Sequence, residues 1–185
     1  MLKRMTITLV ALILALPALA SAKDMSGKMG LGFNLTDAPI GIRYWFSPQA
    51  GLDVGIGYES NDLGQENAAN FFLEAGIPYV VYGTEHANLY LRAGAGLGLI
   101  DDRNVPGSLG LEETQTQLLV TIGPGVEVFW GDHFSLQASH GIGFRYTSLP
   151  SQYADVPTPG AGEDSFLDFA TFGNSVTELG FHFYF

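Results

Sequence analysis

From Asn88 to Leu99 the side chains alternate without a break. Leu89, Leu91, Ala93, Ala95, Leu97 and Leu99 share one parity, and Tyr90, Arg92, Gly94, Gly96 and Gly98 share the other. A period of two belongs to an extended strand, whose successive side chains point to opposite faces, and not to a helix. The pattern recurs in Gly51 to Glu59, where Leu52, Val54, Ile56 and Tyr58 oppose Gly51, Asp53, Gly55, Gly57 and Glu59. It returns at the end, where Leu179, Phe181, Phe183 and Phe185 alternate with Glu178, Gly180, His182 and Tyr184. One face is apolar in each case; the other is small or charged.

Extending the pattern predicts eight strands, at 27–36, 39–47, 50–60, 69–83, 87–100, 114–130, 133–147 and 171–185. An even number of such runs suits a closed antiparallel barrel, and most meet the roughly 9–11 residues that a tilted membrane strand needs. The connectors alternate in length. Ser47–Ala50, Gly83–Ala87 and Gly131–His133 are short, whereas Ser60–Ala68, Asp101–Glu113 and Ser148–Ala170 are long and rich in Pro, Gly, Asn and acids. Membrane barrels have tight periplasmic turns and longer outer loops. The departure is the first outer loop, Thr36–Pro39, which is as tight as a turn.

Aromatic residues collect at the predicted strand ends, as expected of rings that favour the level where hydrocarbon meets water. Tyr44, Trp45, Phe46, Tyr79, Tyr82, Phe129, Trp130, Phe183, Tyr184 and Phe185 fall at the inner rim, and Tyr58, Phe71 and Tyr146 at the outer. The competing explanation is core filling in a soluble β-barrel, with the apolar face inside. Against it, the non-apolar parity is dominated by Gly with few charges, a poor face for water. It suits the crowded interior of a narrow barrel.

The first 22 residues read as a signal peptide: Lys3 and Arg4, an apolar run from Ile7 to Leu19, then the small-residue site Ala20-Ser21-Ala22. Removing these 22 of 185 residues leaves 163, enough for one barrel domain spanning 23–185. It also moves the net charge from −11 to −13, because two cations and no acids leave. Such a chain repels a phosphate backbone, so no nucleic acid partner is expected. The chain has no Cys, which excludes disulfides and thiolate metal sites.

With the leader, the eight alternating runs and the ending Leu179-Gly180-Phe181-His182-Phe183-Tyr184-Phe185, the sequence resembles the small outer-membrane barrels of the OmpA/OmpX type. The segment Gly41-Ile42-Arg43-Tyr44-Trp45-Phe46 resembles a second strand of such barrels. The resemblance implies an all-β fold, an eight-stranded antiparallel up-and-down transmembrane barrel in a Gram-negative outer membrane, with both termini periplasmic. It implies that Leu179, Phe181, Phe183 and Phe185 form a signal read by the barrel-assembly machinery. It names no activity, since this architecture hosts anchors, adhesins, narrow pores and lipid-modifying enzymes. No peptidoglycan-binding extension is expected after the barrel.

Strand parity turns Arg43, Arg92, Arg145, Asp53, Glu74, Glu127 and Glu178 inward, where charges need partners. A lumen network of ion pairs is therefore expected, with Arg92 and Glu127 as one pair; a proton or ion path is the alternative. A bulge at Pro78 or Pro124 would reverse the parity beyond it. For enzymatic chemistry, the resemblance brings in lipid A deacylases, which set a Ser and a His two apart on a lipid-facing strand. His133-Phe134-Ser135 has that spacing, but it lies at a predicted periplasmic turn with both side chains inward. Ser139-His140 is weaker, because neighbours on a strand face opposite ways. His140 is expected on the lipid side, His86 in a turn, and His182 in the lumen near Glu178.

Acids cluster in the long loops: Asp101, Asp102, Glu112 and Glu113 in the third, and Asp155, Glu163, Asp164 and Asp168 in the fourth. They are candidate contacts for divalent cations bridging to lipopolysaccharide phosphates, or else a solvated acidic rim. The sequence reading is thus a non-enzymatic outer-membrane barrel without cofactor or resident metal. Its partners are outer-membrane lipid and lipopolysaccharide, the assembly machinery and an unidentified external ligand. A lipid A-modifying enzyme and a narrow pore are the alternatives.

Overall fold

The computed structural model describes residues 23–34, 36–62, 67–104, 113–148, 165–170 and 177–185. The leader segment 1–22 lies outside them. Ten β-strands follow in order: β1 (Met29–Asn34), β2 (Ile40–Trp45), β3 (Gly51–Asp62), β4 (Asn67–Gly83), β5 (Ala87–Asp101), β6 (Thr114–Trp130), β7 (Phe134–His140), β8 (Ile142–Ser148), β9 (Ser165–Ala170) and β10 (Thr177–Tyr184). All pairings are antiparallel, and β1 pairs with β10 while β5 pairs with β6, so the sheet closes on itself.

Ten strands make an eight-stranded barrel because the last two staves are each broken once. β7 and β8 are two halves of the predicted seventh strand, interrupted at Gly141, and both pair with β6 in one continuous register. Pro124 lies at that break; its missing N–H would leave a gap in the ladder. The backbones also close up there: a Cβ on Gly123 would overlap the His140 carbonyl oxygen, so only glycine fits. Parity survives the break, as Phe144 and Tyr146 still face out and Thr147 in.

The eighth stave departs from expectation. β9 pairs with β8, from Gly143 opposite Ala170 to Ser148 opposite Ser165, although the sequence reading assigned these residues to the fourth loop. Between His140–Thr177 and Gly143–Ala170, three steps on one strand face seven on the other. The sequence reading began its last strand at 171 and gave Ser165–Ala170 to the preceding loop, because so short a run, only six residues, shows little periodicity of its own. The β4 register shift lies between Val80 and Tyr82, beyond Glu74, so Pro78 does not reverse the parity of that carboxylate.

The exterior is apolar and exposed all round: Leu31, Phe33, Ile42, Val54, Ile56, Leu73, Ile77, Leu91, Leu118, Val120, Ile122, Phe144 and Leu179 all point away from the lumen. The lumen is polar. Three of the expected rim aromatics belong to it instead, since Trp45, Phe129 and Tyr184 have inward parity and join Tyr90, Val80 and Met25 in a buried layer. Tyr44, Phe46, Tyr79, Tyr82, Trp130, Phe183 and Phe185 stay outside at the short-turn end, and Tyr58, Phe71 and Tyr146 outside at the long-loop end.

Residues Lys23 to Gly27 cross the turn end of the barrel. The Lys23 amide donates to the Thr84 carbonyl at 3.1 Å, the Gly27 amide to the Trp45 carbonyl at 2.7 Å, and the Lys23 ammonium pairs with Asp132 at 2.9 Å. Between these anchors Met25 drops into the aromatic layer and is buried. The turn end is thereby stoppered by the chain's own first described residues.

Candidate functional site

The most concentrated chemistry lies in the lumen. Arg43 on β2 stands directly opposite Asp53 on β3 in the ladder, and the side chains meet in a two-point contact, Nε to Oδ1 at 2.5 Å and Nη2 to Oδ2 at 2.8 Å. Arg43 Nη1 reaches across the barrel to Glu127 Oε2 at 3.0 Å. Arg92 on β5 binds three acids: Asp53 at 3.1 Å, Glu74 at 2.7 Å and Glu178 at 2.9 Å. Two guanidiniums thus hold four carboxylates, and Arg43 and Glu127 are fully buried.

This geometry rearranges the expected pairing. Arg92 and Glu127 are not partners; Arg43 takes Glu127, and Arg92 takes Glu178. The reason is that parity fixes which residues face inward but not their height along the axis, and strand tilt carries Glu178 rather than Glu127 to the level of Arg92. Neutral groups of the same parity complete the network. Ser135 donates to Glu127 Oε1 at 2.5 Å, Tyr184 to the same oxygen at 2.8 Å, and Ser139 to Glu178 at 3.2 Å. These were legible as inward residues but carried no signal that singled them out.

His182 is buried beside Glu127 rather than Glu178, with Nδ1 at 3.7 Å from Oε1, beyond hydrogen-bond reach. Arg145 also faces inward, nearer the loop end, and stands opposite Asp168 in the β8–β9 ladder. Its field acts on Asp37 in the tight first loop: partial desolvation pushes that carboxyl up from its ordinary value, and Arg145 opposes the shift.

Above the ion pairs the lumen widens into a cavity of about 40 Å³, room for a few waters. Phe72, Leu119 and Ala38 supply its apolar lining and Glu74, Gln117 and Arg145 its polar lining. The first loop folds inward at its edge: the Asp37 carbonyl occupies the place that a Cβ on Gly57 would take, so a side chain there would push the loop out.

The catalytic spacing His133-Phe134-Ser135 is not brought together. Ser135 is buried on Glu127, whereas His133 Nδ1 lies 2.9 Å from the Tyr184 carbonyl. His140 does point outward, and its Nδ1 meets Thr177 Oγ1 at 2.6 Å on the exterior. Of the loop acids, Asp101 is tied to Arg103 at 2.6 Å, and Asp102 is buried and accepts from Gln115 at 2.6 Å. Glu113 follows β5 and the 3-10 turn Asp102–Asn104, its carbonyl accepting from the Asp102 amide at 3.0 Å. Glu112, Asp155, Glu163 and Asp164 lie outside the described residues. In the ending, Leu179, Phe183 and Phe185 face out, while Phe181 stacks on Phe33 with ring centroids 5.3 Å apart.

No protein-family model matches the chain. No curated protein matches it either. Among solved structures it is similar to the N-terminal β-barrel domain of Pseudomonas aeruginosa OprF, at 16% identity and a TM-score of 0.44, covering 85% of this chain and 96% of that one. It is also similar to Ail, the attachment invasion locus protein of Yersinia pestis, at 15% identity and a TM-score of 0.39, covering 87% of this chain and 100% of that one. The chain folds as an all-β, closed eight-stranded antiparallel barrel.

Proposed function

We propose that this chain is a non-enzymatic integral protein of a Gram-negative outer membrane, with both termini periplasmic, that supports the envelope or presents its acidic loops to an external partner. The observation that carries this reading is the inverted polarity of the barrel. Large apolar side chains such as Ile42, Ile56, Ile77, Val120 and Phe144 are exposed all round, while Arg43, Asp53, Arg92 and Glu127 are inside. In water that arrangement would expose far more contiguous apolar surface than a soluble protein carries; in a bilayer the same surface is solvated by lipid.

Closure of the barrel satisfies the second demand of hydrocarbon, that backbone groups find partners within the protein. For a role other than conduction, the packed network of two arginines and four acids speaks first, and the Met25 stopper second. Lipopolysaccharide is the partner expected at the loop end, and the assembly machinery the partner of the terminal Phe185.

The test is to separate membranes of cells expressing the protein and to compare lipid A by mass spectrometry with the gene intact, deleted, and carrying Ser135→Ala. Recovery with the outer membrane, heat-dependent gel migration and unchanged lipid A are the expected results. An acyl-chain mass change that tracks the gene overturns the non-enzymatic reading; recovery in a soluble fraction overturns the membrane reading.

A further inference from the structure

The charges of the lumen network do not balance. Arg43 and Arg92 bring two positive charges, and the four acids they bind, Asp53, Glu74, Glu127 and Glu178, bring four negative ones. Asp53 is shared between the two guanidiniums, and Arg92 alone serves three carboxylates. The neighbouring cations have no charge to spare. Arg145 stands opposite Asp168 nearer the loop end and acts on Asp37, and Lys23 is held by Asp132 at the turn end. With its acids ionised, the network therefore carries two negative charges in excess, inside a wall whose outer face is apolar. A buried charge without a counter-charge keeps its desolvation penalty, so the surplus favours a cation from outside the network.

Space for one lies beside the acids. A cavity of about 20 Å³, large enough for a water-sized occupant, is bordered by Asn34, Asp53, Glu74, Gln137, Glu178 and His182. Its lining is rich in oxygen, and Asn34 Oδ1 is fixed in place by the Gln137 amide, which donates to it at 2.7 Å. His182 is 2% exposed, and its Nδ1 has no hydrogen-bond partner. A buried polar atom of this kind is ordinarily satisfied, and an occupant of the cavity that carries water would satisfy it. Glu74 borders both this cavity and the larger one of about 40 Å³ above it, so an ion here keeps water on its loop-end side.

The donor set selects the kind of cation. Among the described residues no three His, Asp or Glu side chains converge as a chelating group. The carboxylate oxygens are instead divided among Arg43, Arg92 and Ser139. A divalent ion gives up its water only to several anionic oxygens held close together, which this cavity does not offer. Its size excludes an organic cation as well.

We propose that the lumen binds one small monovalent cation, sodium or potassium, in the cavity between Asp53, Glu74 and Glu178. The site is distinct from the acidic loops and goes beyond the envelope reading, since it depends on the lumen alone. The ion halves the charge surplus, and a water that it carries meets His182 Nδ1.

The experiment is urea unfolding of the barrel in phosphatidylcholine vesicles, whose headgroups carry no net charge, followed by heat-dependent gel migration. Sodium, potassium and N-methylglucamine chlorides are compared at one pH and one ionic strength, with calcium present throughout to occupy the loop carboxylates. A cation that binds only the folded lumen raises the midpoint as its concentration rises. The midpoint is expected to climb in sodium or potassium and to stay level in N-methylglucamine, which the cavity excludes. Glu74→Gln combined with Glu178→Gln removes the surplus and is expected to abolish the difference, whereas Glu85→Gln, in an exposed turn, is expected to keep it. Should the double variant fail to fold, the sodium NMR line of the folded wild type reads the same site: it is expected to be broadened, and to be narrowed by potassium but not by calcium or N-methylglucamine. Equal midpoints in the three salts overturn the proposal, and a midpoint that responds to pH alone assigns the counter-charge to protons. A salt difference that survives in the double variant, or a sodium line narrowed by calcium, places the ion on the loops and overturns it too.

Discussion

Replacing Glu127 tests the lumen network most directly, because this fully buried carboxylate serves three donors: Arg43 at 3.0 Å, Ser135 at 2.5 Å and Tyr184 at 2.8 Å. Glu127→Met strands one arm of a buried guanidinium that still keeps Asp53, and leaves two hydroxyls without an acceptor. Breaking a buried pair from one side costs about 3–5 kcal/mol, since the remaining charge keeps its desolvation penalty. Glu127→Gln keeps the shape and an acceptor oxygen, so it is expected to cost less, about 1.5–3 kcal/mol for a charged hydrogen bond weakened. Arg43→Met repeats the larger loss from the other side. The double variant removes both members, and its cost should fall short of the sum of the two singles by about 1–3 kcal/mol, the range for residues in one network. Urea unfolding of vesicle-reconstituted protein, followed by heat-dependent gel migration, reads each difference as a shift in midpoint. The same cycle on Arg92 and Glu127, which do not touch, should give a clearly smaller coupling. Additive effects for Arg43 and Glu127, or equal coupling in both cycles, would refute the pairing derived from the geometry.

Two further predictions concern the ends of the barrel. Gly57→Val should displace the inward-folded first loop, because a Cβ there overlaps the Asp37 carbonyl; overpacking of this kind costs about 1–3 kcal/mol in the same unfolding assay, with the outward, exposed Tyr58→Phe as the control. At the turn end the Lys23 ammonium, first through its hydrogen bond and then its charge, holds the exposed Asp132 carboxyl below its ordinary value of 3.8. A depressed carboxyl contributes stability that is present above its unfolded value and lost as pH falls through the folded one. Labelling of Met25→Cys, the sole thiol in a chain without cysteine, should therefore quicken relative to a free thiol at the same pH as pH drops below about 4. A ratio to the free thiol that stays independent of pH there would detach the Lys23–Asp132 contact from the stopper.

Alternation alone determined the fold class, because the two-residue period of Asn88–Leu99 or Gly51–Glu59 needs no partner strand to be read. It also fixed which side of the wall Arg43, Asp53, Glu74, Arg92, Arg145, Glu127 and Glu178 occupy, since facing depends only on parity. Pairing was not legible. Arg43 with Glu127 and Arg92 with Glu178 follow from tilt and register, which are properties of the closed sheet. The same limit hid β9, whose six residues become a strand only by pairing with β8, and it hid the stopper, because nothing marks Met25 as a core residue until Trp45, Tyr90, Phe129 and Tyr184 converge on it. The sequence exposed the short first loop as an irregularity, and only the tertiary structure showed it folded inward against Gly57. Which inward side chains meet is a relation between strands, and period-two chemistry within one strand carries no information about its neighbours' height.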